Sequence, residues 1–163
     1  MQRLTPALGS ALFFLLAPSV VAGLVPWWLT GWRMLPAPLP LRAVGVLLLL
    51  GGVPVLVSAF VRFVREGAGT PAPVAPTEHL VVGGLYGHVR NPMYLAVVST
   101  VVGQGLLLGQ WSLLLYAAVL LPVFLAFVRL YEEPVLRERY GAEYEAYRRA
   151  VPGWLPRLRP WKG

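Results

Sequence analysis

Four long apolar runs constrain this chain more than any other feature of its sequence. They cover residues 7–25, 41–63, 92–108 and 111–130. A helix of about 17 to 25 apolar residues is long enough to cross the hydrocarbon core of a bilayer. The chain is 57% hydrophobic and only 13% charged, whereas about a quarter of the residues in a soluble domain are charged. The sequence therefore predicts an all-α integral membrane protein with about four transmembrane helices.

The connection between the first two runs is expected to be a short, stiff loop. Trp27, Trp28 and Trp32 follow the first run, at the depth where an aromatic belt forms in membrane proteins. Prolines are expected to prevent the helix from continuing through this connection. These prolines are Pro26, Pro36, Pro38 and Pro40.

The basic residues indicate how the helices are oriented in the membrane. The net charge is +7, with 14 lysines and arginines. All of them except Arg33 and Arg42 fall on one side of the predicted bundle. Because an excess of lysine and arginine marks cytoplasmic loops, both termini of this multi-pass protein are expected to be cytoplasmic. Topology and attraction to anionic lipids account for the charge, so no nucleic-acid partner is expected.

The connection before the third run, residues 64–91, is unusually long. A two-residue connection follows that run, whereas this one exceeds the usual length between bundled helices. Its second half mixes glycines with aromatic and ionisable residues, which suits a ligand-lining loop. Asn91 is predicted to be the N-cap of a helix that begins at Pro92, with a positive helix end that could bind an anion. The alternative is a plain capping signal, with Met93 and Tyr94 as interfacial anchors.

Two adjacent glutamates, Glu132 and Glu133, lie where the fourth run ends. A carboxylate within hydrocarbon costs about 2.5 to 3.5 kcal/mol, so both are expected in the headgroup zone or in a polar cavity. Pro134 is expected to bend the helix there. The kink is a candidate cation site. The alternative is a pair of surface contacts, to Arg129 and Arg137.

A helix of a different kind is predicted over residues 135–151. Its tyrosines and a valine form one stripe, surrounded by arginines. We expect an amphipathic C-terminal helix in the membrane interface, with this stripe facing the membrane or the fourth helix. The stripe consists of Tyr140, Tyr144, Tyr147 and Val151. Regular structure is expected to end after it, at Pro152, Pro156 and Pro160.

Several classes of site have no support in the sequence. The chain has no cysteine, which removes thiolate metal sites and cysteine nucleophiles. His79 and His88 lack a carboxylate at metal-ligand spacing, so no metal is expected. No serine in the apolar runs has an adjacent histidine or aspartate, so hydrolase chemistry is not supported. The segment from Gly103 to Gly105 lies inside the third run and is predicted to be a packing notch rather than a dinucleotide loop.

Several motifs occur in a fixed order in the second half of the chain. They are Gly84-Leu-Tyr-Gly-His-Val-Arg-Asn-Pro-Met-Tyr94, a two-helix hairpin, Glu132-Glu133, Tyr140-Gly-Ala-Glu-Tyr-Glu-Ala-Tyr147 and Val151-Pro152. This ordered set resembles the isoprenylcysteine carboxyl methyltransferase family, and it is also similar to the phospholipid N-methyltransferases. The resemblance divides one membrane domain, residues 1–163, into an N-terminal helical hairpin over 1–65 and a cofactor-binding region over 78–156.

The resemblance implies an integral membrane enzyme that transfers a methyl group from S-adenosyl-L-methionine to a lipophilic acceptor or a prenylated, isoprenylcysteine-like carboxylate. The cofactor would lie on the cytoplasmic side. The implied cofactor-binding residues are Leu80, Val81, Tyr86, Asn91, Pro92, Tyr94 and Glu132. Arg129 is nearest to the arginine that orients substrate in the family, and no catalytic side chain is assigned.

The chemistry of this cofactor agrees with the residues present. Its ammonium and sulfonium groups suit a carboxylate such as Glu132, and its own carboxylate suits Arg90 or a helix N-terminus. Asn91 stands where many carboxyl-methylating members have histidine, so a phospholipid or amine acceptor stays open, and an amine would need a base. A non-catalytic membrane binding or assembly module on the same scaffold is the other alternative.

Overall fold

The computed structural model describes residues 16–66 and 79–162, with side chains described outside residues 59–66. Glu78 and the start of the first apolar run therefore lie outside the described residues. All regular structure in the described ranges is helical. The helices are α1 (Leu16–Thr30), α2 (Leu39–Glu66), α3 (Pro92–Leu108), α4 (Trp111–Phe127), α5 (Glu133–Tyr140) and α6 (Ala142–Ala150).

Two helices of the described part are long and apolar enough to cross a membrane. One is α2, over Leu39–Ser58, and the other is the continuous helical stretch Trp111–Tyr140, which begins with α4. The helices α1 and α3 are apolar but shorter. The helical class predicted from the sequence is confirmed, together with at least two candidate spans.

The first helix continues further than the sequence predicted. It passes through Pro26 and ends at Gly31, where φ is +56°. The freed carbonyl of Ala22, four residues before Pro26, accepts a hydrogen bond from Nε2 of Gln104 at 2.7 Å. The carbonyl of Val21 accepts one from the Tyr116 hydroxyl at 2.9 Å. Because other helices satisfy these carbonyls, Pro26 does not end the helix. Residues 31–38 are not helical, as predicted for this connection.

Small residues allow α2 and α3 to pack with their backbones in close contact. A Cβ atom on Gly103 would lie 2.9 Å from the carbonyl oxygen of Gly45, and one on Gly45 would lie 2.7 Å from the carbonyl oxygen of Gly103. The hydroxyl of Ser99 donates to the Leu48 carbonyl at 3.1 Å. The predicted packing notch is therefore confirmed, and it follows the small-residue rule for helices in membranes.

This packing makes Gly103→Ala a sharp test of the helix arrangement. The added methyl group would meet backbone atoms that cannot rotate away, so we expect a loss of about 1 to 3 kcal/mol in stability. Gly51→Ala is the matched control, because Gly51 has open space around its Cβ position and alanine favours helix. Thermal unfolding in a mild detergent measures both variants. An unchanged midpoint for Gly103→Ala would contradict the close packing.

Residues 128–132 form a wide helical turn between α4 and α5. This π turn, Val128–Glu132, directly precedes the first turn of α5, which contains Pro134. Such a turn accommodates a proline that cannot donate to the regular helical hydrogen bonds. A π turn thus stands where the sequence predicted a bend at Pro134, and Glu132 and Glu133 lie at the junction.

The helix predicted over residues 135–151 is two helices in the structure. Gly141, with φ of +52° and ψ of −122°, separates α5 from α6. Three residues of the predicted stripe, Tyr144, Tyr147 and Val151, are buried together. They pack against Leu80, Val82 and Trp161, among others. The stripe therefore faces the loop before α3 and the end of the chain instead of the membrane or α4.

Candidate functional site

The C-terminal segment, residues 151–162, folds over the loop that precedes α3. Four backbone hydrogen bonds of 2.9 to 3.2 Å connect residues 87–91 with residues 152–161. Gly87 allows this approach, because a Cβ atom there would lie 3.0 Å from the Trp161 carbonyl oxygen. Nδ1 of His88 also lies 2.8 Å from the Arg157 carbonyl oxygen. The start of α3 is therefore covered by residues far along the chain.

Arg90 connects the elements that surround the start of α3. Its Nη1 donates to Oε1 of Glu133 at 2.7 Å and to the Tyr144 hydroxyl oxygen at 3.1 Å, and its Nε donates to the Val151 carbonyl at 3.0 Å. The Arg90 and Glu133 side chains are only 15% and 14% exposed. Burial and the nearby Glu133 carboxylate raise the pKa of Tyr144. The Arg90 guanidinium is thus bonded to acceptors from three other parts of the protein.

Glu132 has a different environment from its neighbour. Its Oε2 accepts a hydrogen bond from the Tyr94 hydroxyl at 2.9 Å, and its side chain is half-buried. Within the described ranges, no basic side chain lies within ion-pair distance of it, whereas Glu133 has Arg90 and, at 3.8 Å, Arg148. Arg129 is exposed and forms no ion pair with Glu132.

The tyrosine that donates to this carboxylate packs against two further aromatic rings. The Tyr94 ring is 4.9 Å from the Phe124 ring and 6.3 Å from the Trp154 ring, measured between centroids. Aromatic faces attract cations, and a carboxylate adds charge-assisted hydrogen bonds. The group formed by Glu132, Tyr94, Phe124 and Trp154 therefore fits a cationic ligand.

Asn91 occupies the N-cap position of α3, as predicted, but its side chain does not cap the helix. Nδ2 of Asn91 instead donates to the Gly153 carbonyl at 3.0 Å. Both Asn91 and Pro92 are buried. The first-turn N–H groups of α3 consequently have no side-chain cap, and the positive end of the helix lies beside Arg90.

The structure brings together most of the site residues that the sequence indicated. Arg90, Asn91, Pro92, Tyr94 and Glu132 cluster where α3 begins. The backbone carbonyl of Tyr86 accepts a hydrogen bond from the Tyr147 hydroxyl at 2.7 Å, and burial raises the pKa of Tyr147.

Leu80 and its neighbour Val81 lie to one side of this cluster. Leu80 packs against the buried tyrosines of α6, and Val81 is half-buried. Among the described residues, no group of histidines and carboxylates is arranged to hold a metal ion.

Sequence reasoning missed Trp154 and the role of Glu133 as the partner of Arg90. The alternative considered for Glu133 was a contact with Arg137, four residues away, but Arg137 pairs with Glu145. The spacing of four residues indicated Arg137 as the partner of Glu133. No local pattern indicates Arg90, which is 43 residues away in the sequence. Trp154 lies in a proline-rich stretch without periodicity. The only signal for it was its position just after the Val151-Pro152 motif.

A family model described as phospholipid methyltransferase matches residues 41–143. Protein-S-isoprenylcysteine O-methyltransferase of Schizosaccharomyces pombe is 37% identical over 78 residues, which cover 47% of this chain and 33% of that relative. The match thus spans about a third of the relative's length. No solved structure matches the chain. Because the family model covers more than half of the sequence, the chain belongs to the phospholipid methyltransferase family.

Proposed function

We propose that this protein is an S-adenosyl-L-methionine-dependent membrane methyltransferase whose acceptor is a lipophilic molecule with an isoprenylcysteine-like carboxylate. The family is one of methyltransferases, and the relative is named for isoprenylcysteine O-methylation. The observation that carries the proposal is Glu132. Its carboxylate contacts a tyrosine hydroxyl and aromatic rings lie nearby, but within the described ranges it has no cationic partner.

The residues around Glu132 fit the charges of this cofactor. Glu132 would bind its ammonium or sulfonium group, with Trp154 and Tyr94 beside the positive charge. Arg90 is already bonded to Glu133. We therefore assign the cofactor's carboxylate to the first turn of α3 rather than to Arg90. Leu80, Val81 and Tyr86 would line the remaining wall, and Asn91 and Pro92 would shape the helix end.

When bound, S-adenosyl-L-methionine supplies an electrophilic methyl group on its sulfonium. A carboxylate acceptor is ionised at neutral pH, so it attacks without a base. The protein's contribution is then alignment and exclusion of water. Tyr94 orients the Glu132 carboxylate, and the C-terminal segment covers the site, held there by Arg90. Arg129, which is exposed, would attract an anionic acceptor.

We further propose that α1 and α3 also cross the membrane, giving four spans within one domain, residues 1–163. Both termini and the 64–91 connection would be cytoplasmic. The arginines Arg33 and Arg42, on the opposite side, are the minority of the basic residues. The cofactor would enter from the cytoplasm, and the acceptor would enter laterally from the bilayer.

Single cysteines test this orientation cleanly, because the chain has no cysteine of its own. Met34 is exposed in the connection between α1 and α2, and Glu143 is exposed at the start of α6. Met34→Cys is expected to react with an impermeant maleimide in intact cells, and Glu143→Cys only after permeabilisation. The reverse pattern would overturn the orientation and the proposed route of the cofactor.

Methyl transfer from labelled cofactor to a panel of acceptors tests the function. Prenyl-cysteines are expected to be methylated best, with isoprenoid acids next. The family model's description favours a second candidate, a phospholipid amine acceptor, and preferred labelling of phosphatidylethanolamine would select it. Transfer to none of these acceptors would favour the non-catalytic membrane module.

The length of the acceptor's hydrocarbon chain can be varied in the same assay to test lateral entry. Each methylene that partitions into the bilayer contributes about 0.8 kcal/mol. Long-chain acceptors in liposomes are therefore expected to react far better than their short soluble analogues at equal total concentration. Equal rates would rule out the bilayer as the main route.

A further inference from the structure

The C-terminal segment shows an inverted burial pattern. Its arginine Arg157 points inward, with Nη1 2.6 Å from the Ala150 carbonyl oxygen. Its leucines point outward, because Leu155 is 80% exposed and Leu158 is 98% exposed. A single exposed leucine is ordinary in a folded protein. Two almost fully exposed leucines on a segment whose Arg157 is turned toward the protein indicate a surface that contacts something more apolar than water.

Basic residues accompany these leucines. Arg159 and Lys162 are exposed, and within the described part of the chain they form no ion pair with an acidic side chain. Leucines next to free positive charges are typical of segments that lie on a lipid surface. The charges complement the anionic headgroups of a membrane leaflet.

In the proposed four-span arrangement, the segment lies at the level of such a surface. Its hydrogen bonds to residues 87–91 place it directly beside the start of α3, and α3 is an apolar helix of the bundle. The inward side chains Trp154 and Trp161 fix its orientation, since Trp154 lies near Tyr94 and the Trp161 ring is 5.6 Å from the Tyr147 ring. The outward side chains therefore face away from the protein.

We propose that Leu155 and Leu158, together with Arg159 and Lys162, form a docking surface for the anionic lipids of the leaflet that surrounds the site. The leucines insert among the acyl chains, and the two basic residues bind the headgroups. Docking holds the C-terminal segment over the start of α3. The inference rests on the proposed crossing of the membrane by α3, and it does not depend on which acceptor is methylated.

A fluorescent probe on the segment tests this docking. Pro156→Cys places the label at an exposed position between the two leucines and leaves both intact. The labelled full-length protein is reconstituted in vesicles of phosphatidylcholine alone or with phosphatidylglycerol. We expect a blue-shifted emission and less quenching by acrylamide in the phosphatidylglycerol vesicles, with the difference reduced in high salt.

The charge variant decides between anionic recognition and simple insertion. Arg159→Gln with Lys162→Gln is expected to remove the dependence on phosphatidylglycerol, with each basic residue changing the inserted-to-free ratio about five-fold. Arg33→Gln, at the opposite end of the bundle, is the matched control and should leave the emission unchanged. Equal emission in the two kinds of vesicle, or a dependence that persists in the double variant, would overturn the proposal.

Discussion

Glu132→Gln is expected to weaken the binding of S-adenosyl-L-methionine by about 1.5 to 3 kcal/mol, which corresponds to roughly 10-fold to 150-fold in Kd. The substitution keeps the shape of the side chain and its contact with Tyr94, but it removes the charge that would bind the cofactor's positive groups. Equilibrium titration of the purified protein in detergent measures the change.

Glu138→Gln is the control for this variant. Glu138 lies on α5, two turns from Glu132, and its side chain is exposed. The Glu138→Gln variant loses the same charge, but Glu138 is not part of the site. Its affinity for S-adenosyl-L-methionine should therefore stay close to that of the wild type. Equal affinities for wild type and Glu132→Gln would leave Glu132 with a purely structural role.

Arg90→Ala is expected to produce the largest loss of stability. It removes the donor to Glu133, Tyr144 and Val151 together, and it leaves the mostly buried Glu133 carboxylate without its nearest cation. Breaking one side of a buried ion pair costs about 3 kcal/mol or more. For a chain of this size, the unfolding midpoint would fall by roughly 6 to 12 °C.

Arg137→Ala is the comparison for this variant. Arg137 also pairs with a glutamate, Glu145, but this ion pair is largely exposed, at 47% and 32% for the two side chains. Exposed ion pairs contribute little to stability, so the unfolding midpoint of Arg137→Ala should stay close to that of the wild type. A similar midpoint for both variants would show that Arg90 does not hold the C-terminal segment in place.

The helices themselves were largely predictable, because their signals are local. The bounds of α3 match the third apolar run, since Pro92 and Gly109 mark its ends. The glycine notch was predicted from its place inside an apolar run. The start of the first connection was predicted too early, because helix continues past Pro26 with the help of hydrogen-bond donors from Gln104 and Tyr116, which are far away in sequence.

The candidate site was predictable only in part, because its motifs are local but the contacts between them are not. The motifs around Asn91 and Glu132 could be found in the sequence, and the Tyr94 to Glu132 hydrogen bond brings them together. The assignment of Arg90 could not be settled from sequence, because its partner Glu133 has an equally plausible neighbour at Arg137. Tertiary packing determines which partner is used. Here Glu133 pairs with Arg90, which also bonds to the Val151 carbonyl at the start of the C-terminal segment.

The most direct measurement of the central claim is the binding of S-adenosyl-L-methionine to the wild-type protein, by titration in several mild detergents and in nanodiscs. The account predicts saturable binding at one site per chain, and it predicts that the cofactor raises the unfolding midpoint of the wild type more than that of Glu132→Gln. No saturable binding in any of these environments, from protein that unfolds cooperatively, would contradict it.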